Sequence, residues 1–191
     1  MDFIPTAGHL GQLIVETTAD NTPHLGFSIE IDFAEGEFDG ETGTPFLRIS
    51  NLRLPEGKSW RSLANQSWDA ASPNNPANVD AVILLFGMPN PVEVQSLQLG
   101  EVQPDGSVPA TMNLIADFES EAYRDSLDAV PIALELVTLK LEPLRLSTRL
   151  EKQLRGEEAA TREAVAPIVA LDDYGPLERI PGGFGFPPKF S

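Results

Sequence analysis

The stretch DFAEGEFDGETGTPF, residues 32–46, places five carboxylates (Asp32, Glu35, Glu37, Asp39 and Glu41) and three glycines within fifteen positions. Oxygen ligands at that density suit calcium, a hard cation that accepts irregular cages of carboxylates and carbonyls. The spacing is not that of an EF-hand loop, which needs acids at its first, third and fifth positions, glycine at the sixth and glutamate at the twelfth. Counted from Asp32, the third and fifth positions are Ala34 and Gly36. Asp39-Gly40 and Gly43 instead suit a turn, and an acidic connection discourages edge-to-edge pairing of strands. The expectation is an acidic connection between two strands, with a calcium ion on Asp32, Glu35, Glu37, Asp39 and Glu41 as the metal alternative.

Glu30 and Asp32 lie two apart in the alternating run GFSIEIDF. In a strand they project to one side with Cβ atoms about 7 Å apart, a separation that inverting glycosidases use for their acid and base. A general acid also needs burial to raise its pKa, whereas the alternation puts this pair on the wet face. A carboxylate-dependent hydrolase would draw on Glu30, Asp32, Asp39 and Glu41, and that enzyme, or a small-ligand carrier with its pocket in the β domain, is the alternative functional class. Histidine occurs only as His9 and His24, and cysteine not at all. Disulfides, thiolate catalysis, Cys-ligated zinc, iron–sulfur clusters and a three-His zinc site are thereby excluded, and a Ser–His–acid triad would have to use one of those two histidines. The chain contains no G-x-S-x-G, H-E-x-x-H or G-x-x-x-x-G-K-[ST], and GGFGF at 182–186 follows Pro181 rather than a strand, which removes the context a dinucleotide motif requires. No residue is assigned a catalytic or cofactor-binding role.

The elements that must carry these residues are mostly strands. Phe27, Ile29, Ile31 and Phe33 alternate with Ser28, Glu30 and Asp32, and Val108, Ala110, Met112, Leu114, Ala116 and Phe118 share one side of a longer run. Pro104-Asp105-Gly106 between PVEVQSLQLGEV and that run predicts an antiparallel hairpin. Two strands slip phase, from Val92 and Val94 to Leu97 and Leu99, and from Leu47 and Ile49 to Leu52 and Leu54. Each slip moves the apolar set to the other face, as a β-bulge allows. DAVILLFG and IALELVTLKL lack clean alternation and read as central strands buried on both faces. QLIVETT adds a further strand. About eight strands result, predicting an antiparallel β-sandwich or flattened barrel over residues 1–144.

Two regions depart from this pattern. Residues 64–80, ANQSWDAASPNNPANVD, read as a long polar loop, a kind of segment that is often functional. Over 145–166 the spacing turns helical: Leu146, Leu150 and Leu154 form a stripe, Glu151 precedes Arg155 by four, Gly156 divides the segment, and Pro167 ends it. The tail, 167–191, is rich in Pro and Gly and carries Phe184, Phe186 and Phe190. Those rings either fold back onto a sheet or reach a neighbouring subunit, because three free rings would invite aggregation. Trp60 and Trp68 flank or enter the polar loop, as interface anchors or as a lid over the core.

Charge bounds the partners. Residues 1–128 hold 20 acids and 5 bases, net −15; residues 129–191 hold 9 acids and 8 bases, net −1. Nucleic acids and anionic membrane surfaces are disfavoured, since both are bound through basic surfaces. The opening MDFIPTAGHLGQLIV has an acid where a signal peptide has a base, and its apolar run is broken by Pro5, Gly8 and Gly11, so a soluble cytoplasmic chain is expected. The functional expectation is a non-catalytic acidic interaction protein that masks a basic protein partner, an antidote-like role, with Trp60, Trp68, Phe184, Phe186 and Phe190 as interaction residues and with the helix or tail available for homo-oligomer contacts.

Overall fold

The computed structural model describes residues 2–16, 23–38, 40–53, 58–69, 79–118 and 129–190. In chain order the strands are β1 (Pro5–Glu16), β2 (Pro23–Phe33), β3 (Gly36–Phe38), β4 (Glu41–Gly43), β5 (Phe46–Arg53), β6 (Ser67–Asp69), β7 (Asp80–Leu85), β8 (Met88–Leu99), β9 (Ser107–Ala116) and β10 (Val130–Arg145). Two helices, α1 (Thr148–Leu154) and α2 (Glu158–Val165), and a last hairpin of β11 (Glu178–Ile180) and β12 (Gly183–Phe186) follow. Strands β1, β2, β5, β7, β8, β9 and β10 pair in that order, and β10 returns to β1, which closes a seven-stranded barrel. Of the two architectures expected, the barrel is the one formed. Its seam is parallel, with His9 opposite Lys140 and Leu13 opposite Arg145; the other barrel pairings are antiparallel.

The phase slips in the sequence are register shifts in the sheet. One extra residue enters β8 between Val94 and Ser96 and one enters β5 between Ile49 and Leu52, so Leu97, Leu99 and Leu52 return to the interior. The two strands read as buried on both faces are corrected. In β7, Ala81, Ile83 and Leu85 point inward, while Val82 and Leu84 are only half-buried. In β10 a bulge between Leu134 and Val137 restores the inward phase and leaves Leu136 74% exposed. An added residue imitates a two-sided apolar run in the sequence. The long polar segment is also shorter than expected, because Ser67–Asp69 forms β6 on β8 and buries Trp68; residues 70–78 lie outside the described residues.

Gly106 makes the β8–β9 turn at φ 80°, and a Cβ there would come 2.6 Å from the Phe190 ring. Gly106→Ala is expected to cost about 1–2 kcal/mol through the left-handed backbone alone, read as a lower urea midpoint with unchanged slope. The helical segment breaks where Gly156 stands, with Arg155 at φ 52° and Gly156 at φ 77°, and α2 ends at Val165, with Ala166 alone between it and Pro167. Ser147 caps α1 by accepting from the Leu150 amide at 3.2 Å.

The barrel is filled. Inward residues from all seven strands, among them Leu10, Ile29, Ile49, Ile83, Leu99, Met112 and Leu139, have exposures of 0–1%. A lumen wide enough for a ligand would leave such side chains accessible. The rim formed by the starts of β1, β5, β8 and β10 is stoppered by Phe3, Phe33, Phe38 and Phe118, whose rings meet edge-on, tilted and stacked with Phe3–centred separations of 5.4, 6.2 and 6.4 Å. At the opposite rim the tail folds over the barrel, with Tyr174 and Phe186 fully buried.

Candidate functional site

At the Phe3 end, the 32–46 connection is a β3–β4 hairpin on which Phe38 is 2% exposed and anchors the loop. With Phe38 turned in, its neighbour Glu37 is turned out, and Glu41, opposite Phe38 in the hairpin, is exposed. Asp2, Asp32, Glu35, Glu37 and Glu41 are all exposed, and none joins an ion pair among the described residues. Asp39 lies outside the described residues. Among the described residues no three His, Asp or Glu side chains converge on a point where a metal would sit, and Asp32, Glu35, Glu37 and Glu41 are spread along the rim.

Two apolar groups share that rim. Ile4 is 59% exposed, and its carbonyl accepts from the Ala34 amide at 2.8 Å, which ties it to the acidic connection. Phe86 is 36% exposed at the tip of the β7–β8 turn. Leu85 pairs with Met88, so Phe86 and Gly87 alone make the turn, at φ 54° and 78°. Positive φ at both positions marks a type I′ turn, where Asn, Asp or Gly is usual; phenylalanine there costs about 1–2 kcal/mol. The ring rests edge-on against Phe38 at 6.2 Å, and Gly43 makes room for it, since a Cβ at that position would come 2.5 Å from the ring.

Among the described residues, the carboxylates considered for hydrolysis do not gather at one point. Glu30 accepts from Arg48 Nε at 3.0 Å, and Asp32 stands exposed at the rim. His24 is the second residue of β2, half-buried and far along the strand from Glu30. His9 belongs to no motif in the sequence, yet its Nδ1 lies 2.9 Å from Glu142 Oε1 across the β1–β10 seam. Only barrel closure brings together two residues 133 apart in sequence. The pair lines a shallow hollow of about 250 Å³ on the outer wall, with Ser28, Glu30, Leu13 and Arg145.

The aromatic residues proposed as interaction anchors belong to the chain's own packing. Trp60 is 4% exposed: its indole donates to the Asp173 carbonyl at 2.9 Å, its amide donates to the Tyr174 hydroxyl at 3.2 Å, and Phe190 meets its ring at 5.3 Å. Trp68 and Phe186 are buried, Phe184 is half-buried, and Phe190, at 37% exposed, caps Trp60. Burial leaves the two tryptophans and Phe186 no face for a partner in this arrangement. Comparison with protein-family models, with curated proteins and with solved structures finds no match to this chain. Among the described residues no helix is long and apolar enough to cross a membrane.

Proposed function

We propose that this protein is a non-catalytic binding protein that captures a cationic protein partner on its acidic barrel end. The observation that carries the reading is the mixed character of that rim: five exposed carboxylates outside any described ion pair, with Ile4 and Phe86 exposed among them. Like charges gathered at one end set up a directional field that accelerates encounter with a basic surface and weakens with salt. Apolar groups within the ring supply the contact that outlasts encounter. The opposite end balances its acids with Lys58, Arg61, Arg145, Arg149, Lys152, Arg155, Arg162, Arg179 and Lys189, so the field of the molecule is lopsided. A filled interior supports a surface binder over a carrier, because the inward side chains leave no room for a ligand.

The reading is tested by making the same change in net charge at one end or the other. Glu35→Lys, Glu37→Lys and Glu41→Lys together are expected to slow association with poly-L-lysine about ten-fold at low salt, and by much less at about 200 mM salt. Glu101→Lys, Glu157→Lys and Glu163→Lys make the same net change at the other end and are expected to have a far smaller effect. Stopped-flow rates that fell equally in both triple variants would refute the rim as the capture surface.

A further inference from the structure

A second surface lies on the barrel wall, around Arg145. The hollow beside His9 continues upward into one of about 430 Å³ between the ends of β1 and β10, the start of α1 and the β11–β12 hairpin; Leu13 and Arg145 line both. In the lower part His9 Nδ1 is hydrogen-bonded to Glu142, and Arg48 is paired with Glu30. In the upper part the Glu151 carboxylate is engaged by the Phe184 amide at 2.8 Å. Arg145 is exposed and makes no ion pair or side-chain hydrogen bond among the described residues, so its guanidinium is open to an incoming anion beside the Glu151 carboxylate. Its partner across the parallel seam is Leu13, 41% exposed, and Ile180 and Phe184 are half-buried in the upper wall.

An open guanidinium fork beside apolar surface is suited to a carboxylate that carries a hydrocarbon: two parallel N–H···O bonds hold the anion, and the body covers Leu13. The volume falls within the range of small-molecule sites. A net charge of −16 opposes polyanions such as nucleic acids, whereas a monoanion meets little of that field across salt-screened distances. We propose that Arg145 and Leu13 anchor a small amphipathic organic monoanion, a carboxylate on a short hydrocarbon or aryl body, in this furrow. The site is independent of the acidic rim and would stand if the rim bound nothing.

Isothermal titration of the full chain with octanoate, butyrate and inorganic phosphate tests it. Octanoate is expected to saturate a single site more tightly than butyrate or phosphate. Arg145→Gln should weaken octanoate by about ten-fold or more, the value of one charge-assisted bidentate contact. Leu13→Asn should weaken octanoate while leaving butyrate nearly unchanged. Both side chains are exposed, so unchanged thermal melting of each variant serves as the control for folding. Failure of octanoate to saturate, equal affinity in wild type and Arg145→Gln, or phosphate binding as tightly as octanoate would each overturn the proposal.

Discussion

A chain ending at Ala170 is expected to lose its cooperative fold. The missing segment carries Tyr174 and Phe186, both 0% exposed, and the Asp173 carbonyl that accepts from the Trp60 indole. It also carries the Asp173 carboxylate paired with Arg61 at 2.7 Å. Removing two buried aromatic side chains costs about 3–5 kcal/mol each, against a total stability of roughly 5–15 kcal/mol for a domain. The barrel strands remain, but the rim opposite the acidic end is left open over Gln12, Trp60 and Leu144, all buried in the full chain. The expected product keeps much of its far-ultraviolet strand signal and loses its near-ultraviolet aromatic signal and sharp melting, with exposed apolar surface that binds a fluorescent hydrophobic dye. A peptide of residues 171–190 added in trans is expected to restore part of the tryptophan signal. Cooperative melting of the truncated chain near the full-length temperature would show instead that the strands close and pack without the tail.

The strands were largely legible because their information is local. Pro104-Asp105-Gly106 marked a turn that the structure makes with the Gly106 amide donating to the Gln103 carbonyl at 2.9 Å, and the slips after Val94 and Ile49 marked bulges. Gly156 marked the break between α1 and α2 for the same reason. The parallel seam was not legible, since β1 and β10 are brought together only when the whole sheet curls shut, and no local pattern encodes that closure. Everything built on the seam was therefore missed: the His9–Glu142 pair, the Leu13–Arg145 neighbours and the furrow they line. Arg145 was counted among the residues of the helical segment when it is the last residue of β10. The acidic loop was read correctly as a strand connection, but Phe86 was hidden, because a Phe-Gly turn lacks the Asn or Asp that usually announces positive φ. Gln12 did leave a signal. It shares the inward phase of Leu10 and Ile14, and a polar residue there calls for a partner, although that partner is 162 residues away.

Replacing that partner, Tyr174→Phe, is expected to destabilise the fold by about 2–4 kcal/mol while changing its volume hardly at all. The Tyr174 hydroxyl donates to Gln12 Oε1 at 2.6 Å and accepts from the Trp60 amide at 3.2 Å, and Gln12 Nε2 donates to the Glu142 carbonyl at 2.8 Å. Phenylalanine would leave two buried polar groups unmatched at about 1–2 kcal/mol each, enough to lower the melting temperature by roughly 4–16 °C. Gln12→Leu alone strands the hydroxyl and the Glu142 carbonyl, so the double variant is expected to cost less than the two single changes combined, by about 1–2 kcal/mol. Simple additivity would show that the bond contributes nothing. Alkaline titration gives an independent reading. Burial holds the Tyr174 hydroxyl well above its ordinary value near 10, so the folded state keeps this proton when the unfolded chain releases it. Its contribution is intact below about pH 10 and is lost as pH rises further, at up to about 1.4 kcal/mol per pH unit. Wild-type stability should therefore approach that of Tyr174→Phe above pH 10, with lysine deprotonation common to both. A gap that stayed constant through that range would mean that the hydroxyl is not shielded from water in the native barrel.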